Sequence, residues 1–279
     1  MKRLLNIELQ KLWKNRASRI LVITYFALLS LIAFLSSVNF DIIGFNFRFA
    51  DQGIFNFPYI WHANTYVAAI LKFFLAVVIV SMIANEYTYG TLKQNLIDGL
   101  RKEEFIKSKF YTVVIFSAAS TLFVFTMSLI LGYIFSDYTE ISIVFSDTWY
   151  LGGYFLKLVA FFSMCLFVGI LVKRSAFALG FIFVWFLVET AAYLTLSNTI
   201  REDWAYRIWG FLPMESMSRL IKEPVTRFPM VRTLENLNNQ GKVVAPKFYG
   251  IHWYEIIIAM AWTAIFMYLS YSVLKKRDL

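Results

Sequence analysis

Six stretches of this chain run for about twenty residues or more with almost no charge, and that feature restricts what the chain can fold into. A helix rises 1.5 Å per residue, so about 20 apolar residues cross the ~30 Å hydrocarbon layer of a bilayer. Residues 20–40, 110–136 and 256–274 contain no Asp, Glu, Lys or Arg; 64–84 contain only Lys72, 149–172 only Lys157, and 177–197 only Glu189. The expected fold is an all-α integral membrane protein with spans at 20–40, 64–84, 110–135, 149–172, 177–197 and 253–274. All five prolines, Pro58, Pro213, Pro224, Pro229 and Pro246, fall outside these spans, as uninterrupted helices require.

Composition excludes the other broad classes. Charged residues make up 16% of the chain and apolar ones 59%, whereas soluble domains carry roughly 25% charged residues. Twenty-nine Phe, sixteen Tyr and eight Trp also rule out a disordered chain. The net charge of +9 does not form one basic face, so anionic lipid headgroups are the expected partner and nucleic acid is not. One cysteine, Cys165, and two histidines, His62 and His252, leave no disulfide and no multi-histidine metal centre.

The basic residues predict the orientation. Six lie at or before Arg19, five in 85–109, two in 173–176 and three in the tail, while 41–63 carry only Arg48 and 136–148 none. The positive-inside rule places both termini in the cytoplasm, outvoting eight basic residues in 198–252. Trp61, Trp149 and Trp253 stand at the outer ends of spans, with His62 and His252 beside two of them, in the pattern of an interfacial belt. The first apolar run is too long for a signal-peptide core and reads as a retained helix. Ahead of it, residues 1–17 place Leu5, Leu9, Leu12 and Trp13 on one helical face among lysines, predicting an interfacial helix.

Between spans two and three, residues 85–109 read NEYTYGTLKQNLIDGLRKEEFIKSK. Leu92 and Leu96, with Ile97 beside them, share a helical face, and Asp98-Gly99 ends it. Such a helix lies across the membrane surface and presents an apolar ridge to a partner, with Gly90 turning the chain sharply out of span two. An acid at the end of span two, then E-x-x-x-G-T, an amphipathic stretch, a basic break and a lysine opening span three resembles the ABC-2 type permease subunits of bacterial ATP-binding-cassette transporters. Glu86, Gly90, Thr91, Arg101 or Lys102, and Lys109 carry the match.

The resemblance implies that residues 1–279 form one transmembrane domain in the bacterial cytoplasmic (inner) membrane. It implies that 85–109 hold a coupling helix engaging a separate ATP-binding subunit through Glu86, Gly90, Thr91, Leu92, Leu96, Arg101 and Lys109. The chain has no phosphate-loop sequence, so ATP and Mg are expected on that subunit and no cofactor on this chain. The permease is expected as a homodimer or as a heterodimer with a related permease, among membrane lipids. It is not expected to be an enzyme.

Lys72, Lys157 and Glu189 each stand eight residues from an outer span end, roughly 12 Å deep at 1.5 Å per residue. They are expected to form an intramembrane charge cluster in which Glu189 pairs with Lys157 or Lys72, lining a route or tying helices together. The 198–252 segment holds four prolines and Asn236, Asn238, Asn239 and Gly241, and its length predicts structure of its own. Trp204, Ile208, Phe211 and Leu212 mark the membrane face of a short helix stopped by Pro213. Phe45, Phe47, Phe49, Phe55 and Phe57 alternate with small or polar residues, as a strand pair or a dipping segment would. The favoured function is export of a lipid, peptide or drug-like substrate. The alternatives are force or signal transmission to an envelope machine and a lipid-acting membrane enzyme, the latter weakened by the absence of an acid, base and nucleophile set.

Overall fold

Asn15 sets the first helix boundary. Its side-chain oxygen accepts the amides of Ala17 and Ser18 at 3.0 and 3.3 Å, the N-cap role that Asn favours, and so separates α1 (Lys2–Lys14) from α2 (Arg16–Ser37). The computed structural model describes residues 2–38, 40–42, 45–47, 53–227, 231 and 248–277. After a hairpin of two antiparallel strands, β1 (Phe40–Ile42) and β2 (Phe45–Phe47), come α3 (Tyr59–Thr88), α4 (Thr91–Ile97) and α5 (Lys102–Phe135). Then follow α6 (Ile141–Val144), α7 (Trp149–Val172), α8 (Ser175–Thr199), α9 (Glu202–Trp209), α10 (Pro213–Arg219), a 3-10 turn (Val225–Arg227) and α11 (Trp253–Lys275).

Among the described residues, six helices are long and apolar enough to cross a membrane: α2, α3, α5, α7, α8 and α11. Five contain the expected span whole, whereas α2 stops at Ser37, short of the expected end at 40, where β1 begins. The differences lie at the ends, where α3 and α5 extend to 30 and 34 residues, roughly 45 and 50 Å at 1.5 Å per residue. Both therefore protrude beyond a ~30 Å hydrocarbon layer. Because six spans alternate in direction, both chain ends, the α3–α5 link and the α7–α8 link share one end of the bundle, here the basic end. The hairpin, α6, α9 and α10 belong to the far half.

α7 forms the centre, packed against α3, α5, α8 and α11. Tyr154, Leu158, Phe161, Phe162 and Leu166 on it are fully buried. Gly169 allows α3 close, since a Cβ there would lie 3.2 Å from Ile83 Cβ. Between helices in lipid, packing and hydrogen bonds replace much of the hydrophobic drive. The Tyr25, Ser120 and Tyr154 hydroxyls supply such a tie, joining α2, α5 and α7 in a triangle of 2.6, 2.7 and 2.8 Å.

The far end corrects part of the aromatic-belt expectation. Trp61 is fully buried, stacked on Phe125 and donating Nε1–H to the Val144 carbonyl at 2.7 Å. His62 is also buried, stacked 4.2 Å from Tyr150 and bonded through Nε2 to the Lys222 carbonyl at 2.8 Å. Position near a span end placed them in the belt, but the folded 53–57 segment covers Trp61 with Phe55 and Phe57, and Tyr150, Tyr249 and Arg227 enclose His62. Trp149 and Trp253 remain 39% and 73% exposed.

The alternating phenylalanines divide between β2, which holds Phe45 and Phe47, and this second core, which holds Phe55 and Phe57. Trp204, Ile208 and Phe211 point outward from the α9 region, and Pro213 begins α10. Arg48, Phe49, Pro229, Pro246, Asn236, Asn238, Asn239 and Gly241 lie outside the described residues.

Candidate functional site

Four charged side chains from three helices meet beneath the turn between α3 and α4. Lys109, on the second turn of α5, is fully buried; its Nζ lies 2.5 Å from Glu8 Oε2 and 2.7 Å from Glu86 Oε1. Lys11 of α1 reaches Glu86 at 3.0 Å and Glu8 at 3.4 Å. Thr91, the first residue of α4, donates its hydroxyl to the other Glu86 oxygen at 2.5 Å. Two carboxylates and two ammonium groups close as a neutral set, which buried charges require because each alone carries a large desolvation cost. The Lys109 ammonium also lies 5.0 Å from the Phe105 ring, one helical turn earlier.

Partial burial pulls the Lys11 pKa down, but the Glu8 and Glu86 carboxylates outweigh it and hold it above the ordinary 10.5. A raised folded-state pKa gives stability that is complete below the unfolded value and lost only as pH climbs through the folded one. The Lys11 contribution is therefore constant across physiological pH.

The local backbone puts Thr91 in place. Gly90 sits at φ +68°, a left-handed conformation that glycine adopts without steric cost, so the chain leaves α3 and starts α4 within two residues. Gly99, at φ +95°, ends α4. Arg101 opens α5, its amide donating to the Glu104 carboxylate at 3.2 Å, while its side chain remains exposed.

The direction of α4 corrects the expected apolar ridge. Leu92 is buried and Leu96 packs against the same core, so the Leu92/Leu96 face is turned into the bundle. The outward side of the segment carries Tyr89, Lys93, Gln94 and Ile97. The pattern identified the apolar face, but the core beneath it was incomplete without those leucines.

The other helix ends at the basic end are stitched to this site. Lys102 Nζ donates to the Lys275 and Arg277 carbonyls at 3.3 and 2.8 Å. The Arg277 guanidinium donates to the Ile170 and Leu171 carbonyls and reaches the Tyr87 hydroxyl at 3.4 Å. Cations thus satisfy carbonyls that the ends of α7 and α11 leave open.

No curated protein matches the chain. A family model described as "ABC-2 family transporter protein" matches residues 4–189. The chain belongs to the ABC-2 transporter family. The match takes in α1, Glu86, α4 and Lys109, so the ion cluster lies inside the region that defines membership. As an ABC-2 type permease it is a multi-pass membrane transport component, and its family implies pairing with an ATP-binding subunit.

The permease has a second polar site in its far half. Lys72, Lys157 and Glu189 line one cavity of about 240 Å³ between α3, α7, α8 and α10. The expected pairing of Glu189 with a lysine is not made. Glu189 instead accepts the Met214 and Glu215 amides at 3.1 and 3.2 Å and the Trp185 indole N–H at 2.6 Å. Lys157 donates to the Ser218 and Ile221 carbonyls at 3.2 and 3.5 Å. An anion therefore holds the amide end of α10 and a cation its carbonyl end, each matching the partial charge of that end. Beside them, burial raises the Glu215 carboxyl above the ordinary 4.5 although Arg219, 2.8 Å away, opposes the rise.

Sequence reasoning missed Glu8 and Lys11 as site residues. A usable signal was present, because Glu8 is the only acid in the first forty residues. It stands four residues before the buried Leu12 on the inward face of α1.

Proposed function

We propose that this permease is the membrane half of an exporter in which a separate ATP-binding subunit, holding ATP and Mg, drives transport through residues 86–100. The observation that carries the reading is the ion cluster at Glu86. It ties the first residue of α4 to α1, α3 and α5 at once, so displacement of α4 is passed to three helices together. The outward Tyr89, Lys93, Gln94 and Ile97 supply the contact with the ATP-binding subunit. Gly90, Thr91, Leu92 and Leu96 hold the segment's shape, and Arg101 and Lys109 anchor its return.

In this reading the basic end faces the cytoplasm of a bacterial inner membrane, with both termini on that side. α1 lies along the interface with Ile7 and Trp13 exposed toward lipid. Two permease chains, identical or related, bind two ATP-binding subunits. The transported class is a lipid, peptide or drug-like amphiphile.

Gly90→Trp tests the reading. A Cβ at Gly90 meets nothing within 4 Å, so the bulk projects from the surface assigned to the ATP-binding subunit, over a backbone conformation that favours glycine. The variant is expected to insert in the membrane while releasing that subunit or uncoupling its ATP hydrolysis. Normal co-purification together with normal coupling overturns the assignment.

A further inference from the structure

The cavity beside α10 contains a donor that lacks an acceptor. Glu189 is occupied by amides and an indole, Glu215 by Arg219, and Lys157 by two carbonyls. Lys72 is different. Among the described residues no oxygen lies within bonding distance of its ammonium, which stands over aromatic faces, Phe161 at 4.4 Å and Phe73 at 5.8 Å. Buried donors are ordinarily satisfied, and an intramembrane cation is ordinarily paired. A cavity with an ammonium lacking an acceptor is complementary to a group that brings acceptor oxygens and negative charge.

The shape adds a second requirement. About 240 Å³ is many times the ~10–15 Å³ that one water occupies on this measure, yet too little for a whole lipid. Ile70, Phe73 and Phe186 line the cavity and are 56%, 52% and 49% exposed, so it opens sideways between α3 and α8 at bilayer depth. A head enters while its tail remains along these apolar side chains.

We propose that this cavity binds the anionic head of an acidic amphiphile, a phosphate or carboxylate on an acyl chain, with Lys72 donating to its oxygens. This deepens the export reading by naming the substrate class. It rests on that reading only for the step after binding, because occupancy of the cavity needs no ATP.

The test is native mass spectrometry of the purified full-length permease in mild detergent with dioleoylphosphatidylglycerol, oleate, dioleoylphosphatidylcholine or inorganic phosphate. Wild type is expected to retain phosphatidylglycerol or oleate over phosphatidylcholine on the order of tenfold, the scale of one charge-assisted hydrogen bond. Retention of phosphatidylglycerol alone identifies a phosphate head, and of oleate alone a carboxylate. Lys72→Met is expected to abolish the preference and Lys72→Arg to restore it, with thermal stability unchanged in both. An undiminished preference in Lys72→Met, or inorganic phosphate binding as well as the amphiphiles, overturns the proposal. A Lys72-dependent preference in a protein that shows no ATP-driven flux leaves the proposal standing and removes the export reading. Normal flux without the preference does the reverse.

Discussion

Two polar clusters among the described residues of this permease satisfy buried charge in opposite ways. At the basic end Glu8, Glu86, Lys11 and Lys109 neutralise one another side chain to side chain. In the far half Glu189 and Lys157 satisfy the backbone ends of a seven-residue helix, and Lys72 is left with aromatic faces. The first arrangement couples whole helices through groups that cannot be separated without exposing a buried charge. The second fixes one short element against two spans and leaves an ammonium facing a cavity. On the proposed reading, the difference separates a transmission joint from a binding surface.

The largest predicted effect falls on the joint. Lys109→Met strands Glu8 and Glu86 beside a single lysine, and removing one partner from a buried pair costs about 3–5 kcal/mol. Thermal unfolding in detergent should show it, and a loss under 1 kcal/mol would break the contrast between the clusters. Next come the groups that hold α10. Lys157→Met and Glu189→Gln are each expected to cost roughly 1–3 kcal/mol, the range for a lost charge-assisted hydrogen bond. Each should also raise thiol labelling of Ser216→Cys on α10, against a low background because the native Cys165 is buried. If labelling stayed as low as in the parent, the two residues would not hold α10. The smallest effect is Lys72→Met, within about 0.5 kcal/mol of the parent, as for a side chain that breaks no hydrogen bond on removal. A loss comparable to that of Lys157→Met would make Lys72 a structural tie.

The six spans were legible because lipid demands about twenty apolar residues from any helix that crosses it, and nothing folded later relaxes that demand. Glu86 and Lys109 were legible as a spaced motif. Their closure through α1 was not, since Glu8 and Lys109 stand 101 positions apart and periodicity over α1 reports only an apolar face. Glu189 was legible as a charge in need of a partner. That partner proved to be backbone amides, which every residue carries and no sequence pattern marks. Trp61 was misplaced for a related reason, because its position at a span end gave no sign of the aromatic segment that folds over it.

Transmission of α4 motion to the spans through the ion cluster is best tested at Glu8. That residue is buried on α1, away from the outward residues of α4, so Glu8→Gln should leave the ATP-binding subunit attached and hydrolysing ATP. The measurement is thiol labelling of Thr190→Cys, which lines the cavity on α8, with and without ATP plus vanadate, in the assembled complex. Nucleotide-dependent labelling is expected with native Glu8, and its loss in Glu8→Gln at retained ATP hydrolysis. The same nucleotide response in both, or none with native Glu8, would contradict it.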